Sequence, residues 1–507
     1  MLSLRQLLDL WGFEAHPFEA YTAENEPRLS EYFVAPPYFD DMVGSASAMT
    51  PAVVFGSRGI GKSAIRIHIE NICSSDEVEA VVGGKALAIT YDDFTRVVEK
   101  GLEKVSLEGH LDAIITKAVT AALFIIAYEV NTQGKVAVYS INDRFPILDL
   151  ELLIRLVRRY FSSLEELQQE RAFRGTYSFF EKETRSLSDR VNWFHNLWNT
   201  IRVHLIDVAN IVQSFRGKDG IKPVDITSST KSERVTTEQL MNDLYSISSI
   251  AEQLGYDGWY ILIDKVDEDE HTNSDAESAA SLIAPLIKNL RVLEIPKIGF
   301  KFFLWDQLRP ILVEQNVRLD KIRNWPMGWT RDELKEIINR RLSVYSNNNV
   351  RDLYVISESE LTDFYDLVID HAMFSPREII HVLDAIFREH ARHSTQDTGI
   401  LITRESVDRG LDEYCTRRVG DLYPLDIVRA ITSLPARFTS NNVQTALRIS
   451  KQAASARINK WADNGYIERI EDTRSEKDTS KMIYQYRVKE KRLERLIQRR
   501  IGSNRAE

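Results

Sequence analysis

A glycine-rich turn between an apolar run and a helical pattern constrains the fold of this chain more than any other feature. The stretch is VVFGSRGIGKSAIR, residues 53–66, and its central part matches the pattern G-x-x-x-x-G-K-[ST]. Glycines at these positions let successive backbone N–H groups turn towards one anion. The helix that follows presents its positive N-terminal end to the same place. The pattern therefore predicts a phosphate-binding loop formed by Gly56, Ser57, Arg58, Gly59, Ile60, Gly61, Lys62, Ser63 and Ala64.

The two polar residues that close the loop indicate which phosphate compound it binds. A lysine at the position of Lys62 reaches the β- and γ-phosphate oxygens, and a hydroxyl at Ser63 is a ligand for Mg²⁺. We therefore predict ATP and Mg²⁺ as cofactors. A plain glycine turn is the alternative, but the loop stands between a β-rich run and a helix, which is the context the motif requires.

An acidic cluster follows a second buried strand in the stretch YILIDKVDE, residues 260–268. Asp264, directly after the apolar residues, is predicted to hold the water shell of Mg²⁺. Either Asp267 or Glu268 is predicted to polarise the attacking water, and the residues alone leave that choice open. The alternative is a solvated acidic turn, which suits the next two residues, Asp269 and Glu270, better than it suits Asp264.

Short β-rich runs alternate with helical patterns along much of the chain, and this alternation predicts an α/β fold with a parallel sheet. Between the second and third of these runs, residues 108–215 are mostly helical by periodicity, and residues 216–235 have loop composition. From Thr330 to about Arg418 the pattern is helical throughout. The predicted strands are 52–55, 85–94, 259–264 and 297–305.

The last segment predicts a winged helix-turn-helix, with three helices followed by a hairpin across a polar loop at 472–480. Ser450 is the expected cap of the third helix, and Ala454, Ile458 and Trp461 fall on one face of it.

Residues 437–507 carry 17 Lys and Arg against 9 Asp and Glu, although the whole chain has a net charge of −10. A basic tail favours DNA as a partner, whereas the acidic residues of the wing favour protein docking. The candidate DNA contacts are Lys451, Gln452, Ser455, Lys460, Arg474, Lys477 and Lys481.

These motifs and their order resemble the AAA+/STAND division of P-loop ATPases, in the arrangement of origin-recognition-type initiators. The opening GFEAHPFEAYTAENEPRLSEYFVAPPYF, the phosphate loop and YILIDKVDE are similar to bacterial STAND-like ATPases of conflict, or anti-phage, systems. Two features depart from typical AAA+ proteins. Asp264 is followed by Lys265 where those proteins have Glu, and the long interval between the two motifs requires a helical insertion.

The resemblance implies a P-loop NTPase sheet with a large helical insertion, a helical lid and a C-terminal winged helix-turn-helix. It divides the chain into an N-terminal segment packing on the ATPase core (1–50), the core itself (51–329), the lid (330–420) and the winged helix (421–507). The insertion covers about 95–235.

The resemblance also implies roles for several further polar residues. In the lid, Arg377 follows an expected cap-and-proline start at Ser375-Pro376 and senses the γ-phosphate. Arg291 is the first candidate for an arginine finger and Arg323 the second. At the end of the fourth strand, the sensor is Asp306 or Gln307, unless Asp306 caps the next helix instead. Three aromatics could line an adenine pocket or simply pack in the core: Phe13, Phe33 and Tyr38.

The expected function is that of a Mg-dependent ATP-binding and ATP-hydrolysing switch, which couples its nucleotide state to homo-oligomerisation and to a partner, a separate effector protein or DNA. The alternatives are a DNA-binding initiator or regulator with structural ATP, and a scaffold that does not hydrolyse ATP.

The two cysteines, Cys73 and Cys415, exclude a disulfide framework and fit a cytoplasmic protein. We expect no signal peptide, because residues 1–13 lack a basic n-region, a long apolar h-region and a small-residue cleavage site. We expect no membrane partner, because the most apolar run, residues 118–128, is about half a bilayer span.

Overall fold

The computed structural model describes residues 2–75, 83–99, 101–133, 147–161, 164, 235–395, 400–475 and 478–499. The chain forms two compact units. The sheet unit contains residues 35–58 and 62–327, and the lid–wing unit contains residues 1–34, 59–61 and 328–507. Residues 1–34 thus group with the lid, whereas the resemblance implies a single segment, 1–50, that packs on the ATPase core. The four-domain division stays a prediction.

A five-stranded parallel sheet is the centre of the sheet unit, with the order β2-β3-β4-β1-β5. All four strands expected from the sequence are present, and the predicted α/β class is confirmed. The strand β5 was not expected, because the residues RNWP have no apolar run; it lies at the edge of the sheet, partly exposed. The strands of the chain are β1 (Ala52–Gly56), β2 (Ala86–Tyr91), β3 (Gly258–Ile263), β4 (Ile298–Trp305), β5 (Arg323–Pro326), β6 (Arg437–Thr439), β7 (Ile467–Ser475) and β8 (Asp478–Val488).

Apolar periodicity predicts most of the helices, and side-chain caps mark the starts of several of them. Thr236 and Gln239, for example, form a reciprocal capping box. Residues 276–287 and 290–293 form two separate helices, and the side chain of Asn289 caps the second. The described helices are α1 (Leu4–Trp11), α2 (Leu29–Tyr32), α3 (Phe39–Val43), α4 (Lys62–Cys73), α5 (Thr95–Val98), α6 (Leu107–Gln133), α7 (Ile147–Tyr160), α8 (Thr237–Gln253), α9 (Ala276–Ile287), α10 (Leu290–Leu293), α11 (Leu308–Glu314), α12 (Arg331–Tyr345), α13 (Phe364–His371), α14 (Pro376–His393), α15 (Arg404–Leu422), α16 (Leu425–Thr432), α17 (Ser440–Leu447), α18 (Lys451–Asp463) and α19 (Lys491–Arg499).

The described part of the predicted insertion is helical. Helices α6, α7 and α8 pack against one another, and α6 and α7 supply apolar residues such as Leu111, Ile114 and Leu156 to the core of the sheet unit. Residues 165–234, which contain the rest of the predicted helical region and most of the predicted loop, lie outside the described residues. No helix among the described residues has the length and apolar character needed to cross a bilayer.

Buried polar contacts fasten the N-terminal residues within the lid–wing unit. The guanidinium of Arg341 on α12 pairs with Glu26 and donates to the hydroxyl of Tyr32 at 2.7 Å. Both charged side chains are almost completely buried. Removing one partner of such a pair leaves an uncompensated buried charge, so these contacts hold residues 17–32 against α12.

The winged helix-turn-helix is confirmed by its topology. Helices α16, α17 and α18 precede a three-stranded antiparallel sheet of order β6-β8-β7, and α19 follows it. The predicted polar loop at 472–480 is wrong, because backbone pairing continues through Thr473–Ile483 and Arg474–Met482 to Ser475–Asp478. A polar composition does not prevent backbone pairing, because the ladder hydrogen bonds join main-chain groups. The short strand β6 and the helix α19 were not expected.

Candidate active site

The predicted phosphate loop runs from the end of β1, which lies between β4 and the edge strand β5, to the start of α4. In the parallel sheet β1 lies beside β4, with Gly56 opposite Trp305, and β4 lies beside β3. Carboxyl ends of parallel strands share one edge, so the residues after β3 and β4 lie at the edge where the loop begins. Gly59 and Gly61 have φ angles of +78° and +111°, a backbone conformation that a side chain would oppose.

The ammonium of Lys62 is held over the first residues of its own loop. Its Nζ donates to the carbonyl oxygen of Gly56 at 2.8 Å and to that of Ser57 at 3.1 Å. Burial lowers the pKa of Lys62, and the carboxylates of Asp267 and Asp264 oppose this shift. The lysine is therefore a half-buried cation in a field of carboxylates, which suits it to attract the oxygens of a terminal phosphate.

Asp264, which follows β3 directly, is buried and already has two donors from the protein. Its Oδ2 accepts from Nε of Arg66 at 3.0 Å, and its Oδ1 accepts from the backbone N–H of Lys265 at 2.9 Å. Arg66 also donates to Glu70 at 3.0 Å. The charge of Asp264 is thus compensated by α4, the helix that starts in the phosphate loop. Sequence reasoning missed Arg66, although its position one helical turn after Lys62 places it on the same face.

These residues fit a Mg²⁺ ion only if most of its ligands come from water and phosphate. Among the described residues, no three His, Cys, Asp or Glu side chains gather as a metal site would require. Mg²⁺ usually keeps several waters and takes few protein ligands beside substrate phosphates. With its two protein donors, Asp264 fits contact with such a water shell better than direct ligation, which leaves the hydroxyl of Ser63 as the expected direct ligand.

The two candidate bases differ sharply in their surroundings. Asp267 is buried, and its Oδ2 accepts from Nε of Arg58 at 2.7 Å. A second nitrogen of Arg58, Nη2, donates to the backbone oxygen of Asp267 at 3.2 Å. The same guanidinium lies over the ring of Trp305, 4.4 Å from its centroid. Glu268, the other candidate base, is exposed. The contact of Arg58 was not anticipated, because the loop pattern leaves its position unrestricted.

The polar residues after β4 are exposed and stand close to the loop. The backbone N–H of Asp306 donates to the carbonyl oxygen of Gly56 at 3.2 Å. Helix α11 has Gln307 as its N-cap residue with no side-chain capping bond, so the alternative in which Asp306 caps this helix is wrong. As a sensor, Asp306 or Gln307 stays a prediction.

The start of α14 has the predicted form: Ser375 is the N-cap and Pro376 the first helical residue. The loop residues 59–61 belong to the same unit as this helix. Within that unit the hydroxyl of Ser375 donates to the carbonyl oxygen of Gly59 at 3.1 Å, and the backbone N–H of Arg377 donates to the same oxygen at 3.3 Å. Trp329 Nε1 also donates to the carbonyl oxygen of Ile60 at 2.7 Å. The tip of the phosphate loop is thus bonded to the first turn of α14.

The remaining candidates are divided between the two units. Arg291 is exposed in the last turn of α10, and Arg323 is exposed at the start of β5. Phe13 and Phe33 belong to the lid–wing unit, whereas Tyr38 belongs to the sheet unit, where it stacks on Trp325 with centroids 5.6 Å apart.

The candidate DNA surface is the exposed side of α18. Ser450 caps this helix through the backbone N–H of Ala453, and Ala454, Ile458 and Trp461 are buried beneath it, as the periodicity predicts. Four of the candidate contacts are exposed along the other side: Lys451, Gln452, Ser455 and Lys460. Arg474 lies in β7 and Lys481 in β8, while Lys477 lies outside the described residues.

Comparisons with known proteins give a likeness in structure but none in sequence. No known family profile matches the sequence, and no curated protein matches it. A similar solved structure is the Aeropyrum pernix ORC2 protein in ADPNP–ADP complexes, with 11% identity and a TM-score of 0.40. The match covers 95% of this chain and 99% of that chain. At this identity and TM-score, the likeness assigns no function here.

Proposed function

We propose that this protein is a Mg-dependent ATPase that acts as a molecular switch. The observation that carries the proposal is the position of Lys62, whose ammonium lies over the phosphate loop in the field of Asp264 and Asp267. A cation, a glycine-rich loop and carboxylates at one sheet edge form the arrangement used for phosphoryl transfer to water.

The chain's own residues divide this work as follows. Loop backbone N–H groups and Lys62 bind and orient the triphosphate, and Ser63 with Asp264 provides for Mg²⁺, which supplies charge neutralisation at the phosphates when bound. Asp267 or Glu268 orients the attacking water. Arg377 and Arg291 are the candidate donors of positive charge to the transition state, from the lid and from a neighbouring subunit respectively.

A buried ionic cluster supports the coupling of lid position to the winged helix. Glu378, the residue after Arg377, accepts from Nη2 of Arg418 at 2.6 Å and from the hydroxyl of Tyr414 at 2.7 Å. Arg492 of α19 reaches the same carboxylate at 3.5 Å. Any displacement of the first turn of α14 therefore strains contacts with α15 and α19, and α19 is the last helix of the winged domain.

The biological setting that we propose is a prokaryotic anti-phage or conflict system, in which a cytoplasmic homo-oligomer engages a separate effector. It rests on the STAND-like resemblance of residues 12–39, the phosphate loop and the acidic strand. A second candidate function is DNA engagement through α18, favoured by the exposed lysines and amide side chain on its outer face, which suit phosphates and base edges.

The first experiment is an ATP titration of the wild type and Lys62→Ala, followed by phosphate release at several protein concentrations. Binding that is lost in Lys62→Ala, with an unchanged circular dichroism spectrum, supports the phosphate-loop assignment. Turnover that rises with concentration and is abolished by either Asp267→Asn or Glu268→Gln supports a self-assembling ATPase and identifies its base. Bound ATP with no turnover favours the scaffold or the structural-ATP initiator.

The DNA candidate is tested by duplex binding at several salt concentrations with Lys451→Glu/Lys460→Glu. Loss of affinity together with a smaller salt dependence supports phosphate contact by α18. Unchanged affinity in this variant excludes α18 as the DNA-binding surface and favours protein docking.

A further inference from the structure

The guanidinium of Arg58 occupies an unusual position for a residue of a phosphate loop. It belongs to the loop segment predicted to surround the triphosphate, yet its Nε and Nη2 are directed to the side-chain and backbone oxygens of Asp267. The ring of Trp305 supports it from the side. Because Gly56 and Trp305 are register partners in neighbouring strands, the loop and this aromatic platform are fixed by the same sheet.

The pairing has a consequence for Asp267 as a base. A carboxylate that is to accept a proton from water must offer an oxygen lone pair to that water. In this structure Oδ2 of Asp267 accepts a charge-assisted hydrogen bond at 2.7 Å, and the side chain is only 5% exposed. Arg58 thus covers the more buried of the two candidate bases.

The arginine itself is accessible from solvent. Its side chain is 38% exposed, in contrast to its partner. A guanidinium carries five N–H donors in a planar fork, which matches phosphate oxygens as well as carboxylate oxygens. A terminal phosphate bound at the loop would compete with Asp267 for this fork, since its oxygens can accept the two N–H groups that now donate to the carboxylate and to the backbone oxygen of Asp267.

We propose that Arg58 is a catalytic arginine supplied by the phosphate loop itself, and that it exchanges partners with nucleotide state. Without a terminal phosphate, Arg58 pairs with Asp267 and covers it. With ATP bound, Arg58 turns to the γ-phosphate and Asp267 becomes available to orient water and accept its proton. Water oxygen forms a bond to the γ-phosphorus, the bond from that phosphorus to the bridging oxygen breaks, and ADP leaves with the electron pair. This inference rests on the proposed ATPase function and selects Asp267 over Glu268 as the base.

The test compares the binding of adenylyl imidodiphosphate and ADP, because only the first has a γ-phosphate. Arg58→Ala is expected to weaken the first about ten-fold or more, the usual size of a lost charged hydrogen bond, and to leave ADP affinity nearly unchanged. Turnover is expected to fall by on the order of 10³-fold, as for other transition-state arginines. Arg58→Lys keeps a cation without the planar fork. Its analogue affinity and its turnover are expected to lie between those of the wild type and those of Arg58→Ala. Arg318→Ala removes an exposed arginine paired with Asp320 and is the matched control.

A second variant separates partner exchange from a purely structural role. Asp267→Asn weakens the competitor for Arg58, so it is expected to raise the affinity for adenylyl imidodiphosphate several-fold, and to have no such effect in the Arg58→Ala background. Equal losses of ADP and analogue affinity in Arg58→Ala and Arg58→Lys would overturn the proposal, as would Arg58 variants that behave like Arg318→Ala. A wild-type protein that binds no ATP would instead refute the proposed function. If the wild type binds ATP without turnover, the ratio of the affinities for adenylyl imidodiphosphate and ADP still decides the role of Arg58.

Discussion

Lys301 is a buried cation in the middle of β4, and its removal should change how stability depends on pH. Its Nζ donates to the carbonyl oxygens of Met42 at 2.6 Å and Thr50 at 2.8 Å. Burial, with a smaller contribution from Arg323, lowers the pKa of Lys301 from 10.5 to about 7. Between these two pH values, the unfolded chain therefore binds more protons at this residue than the folded protein does. Stability of the wild type accordingly rises with pH across that window.

The expected magnitude follows from the shift itself. Each pH unit between 7 and about 10 should add up to about 1.4 kcal/mol to the free energy of unfolding, and the whole shift is worth on the order of 5 kcal/mol. Lys301→Met removes this pH-dependent term but leaves two buried carbonyls without their donor, at a cost of about 1–3 kcal/mol each. The variant should thus be close to the wild type at pH 7 and clearly less stable than it at pH 10.

The assay is urea unfolding followed by tryptophan fluorescence at pH 7, 8, 9 and 10. The quantity to compare is the difference in free energy between the wild type and Lys301→Met, because this cancels the titration of other groups. Lys288→Met, at an exposed lysine after α9, should follow the wild type throughout. A difference that stays constant from pH 7 to pH 10 would refute the reasoning, since Lys301 would then keep its proton in the folded protein.

Three other predictions concern the lid–wing unit. Gly59→Ala should lower the free energy of unfolding by about 1–2 kcal/mol, measured by urea unfolding, because φ is +78° there and the new Cβ would lie 2.9 Å from Oγ of Ser375. Burial raises the pKa of Glu378, but hydrogen bonds from neighbouring side chains, above all from Arg418, outweigh this and hold the pKa below its usual value. The stability that this carboxylate contributes should therefore be lost as the pH falls through the lowered pKa. Glu378→Gln should cost about 3 kcal/mol at pH 7, since it leaves Arg418 without its carboxylate, and the acid-dependent loss should be smaller in this variant. Lys460→Glu, on the exposed face of α18, should leave the thermal midpoint unchanged while weakening duplex binding in a salt-dependent manner.

Local patterns in the sequence were sufficient wherever a short-range rule governs the structure. The glycines of the phosphate loop, the caps at Ser375 and Ser450, and the buried face of α18 follow from neighbours within about one helical turn. The strands β1 to β4 were equally accessible, because a buried parallel strand needs a continuous apolar run. The edge strand β5 and the full wing of β7 and β8 were not, since pairing there depends on the backbone of a neighbour.

The sequence by itself determined that a glycine-rich loop follows one buried strand and an acidic cluster follows another, and that a helical segment and a winged helix come after them. Only the tertiary structure decided which charges meet. Arg58 and Asp267 are far apart in the chain, as are Arg66 and Asp264, and each pair forms because parallel strands carry their carboxyl ends to one edge of the sheet. The ion pairs of Glu378 with α15 and α19 arise in the same way from packing. The sequence gives the charge of each side chain, but topology and burial decide which group becomes its partner. That partner determines whether a carboxylate binds a cation, accepts a proton or stabilises the fold.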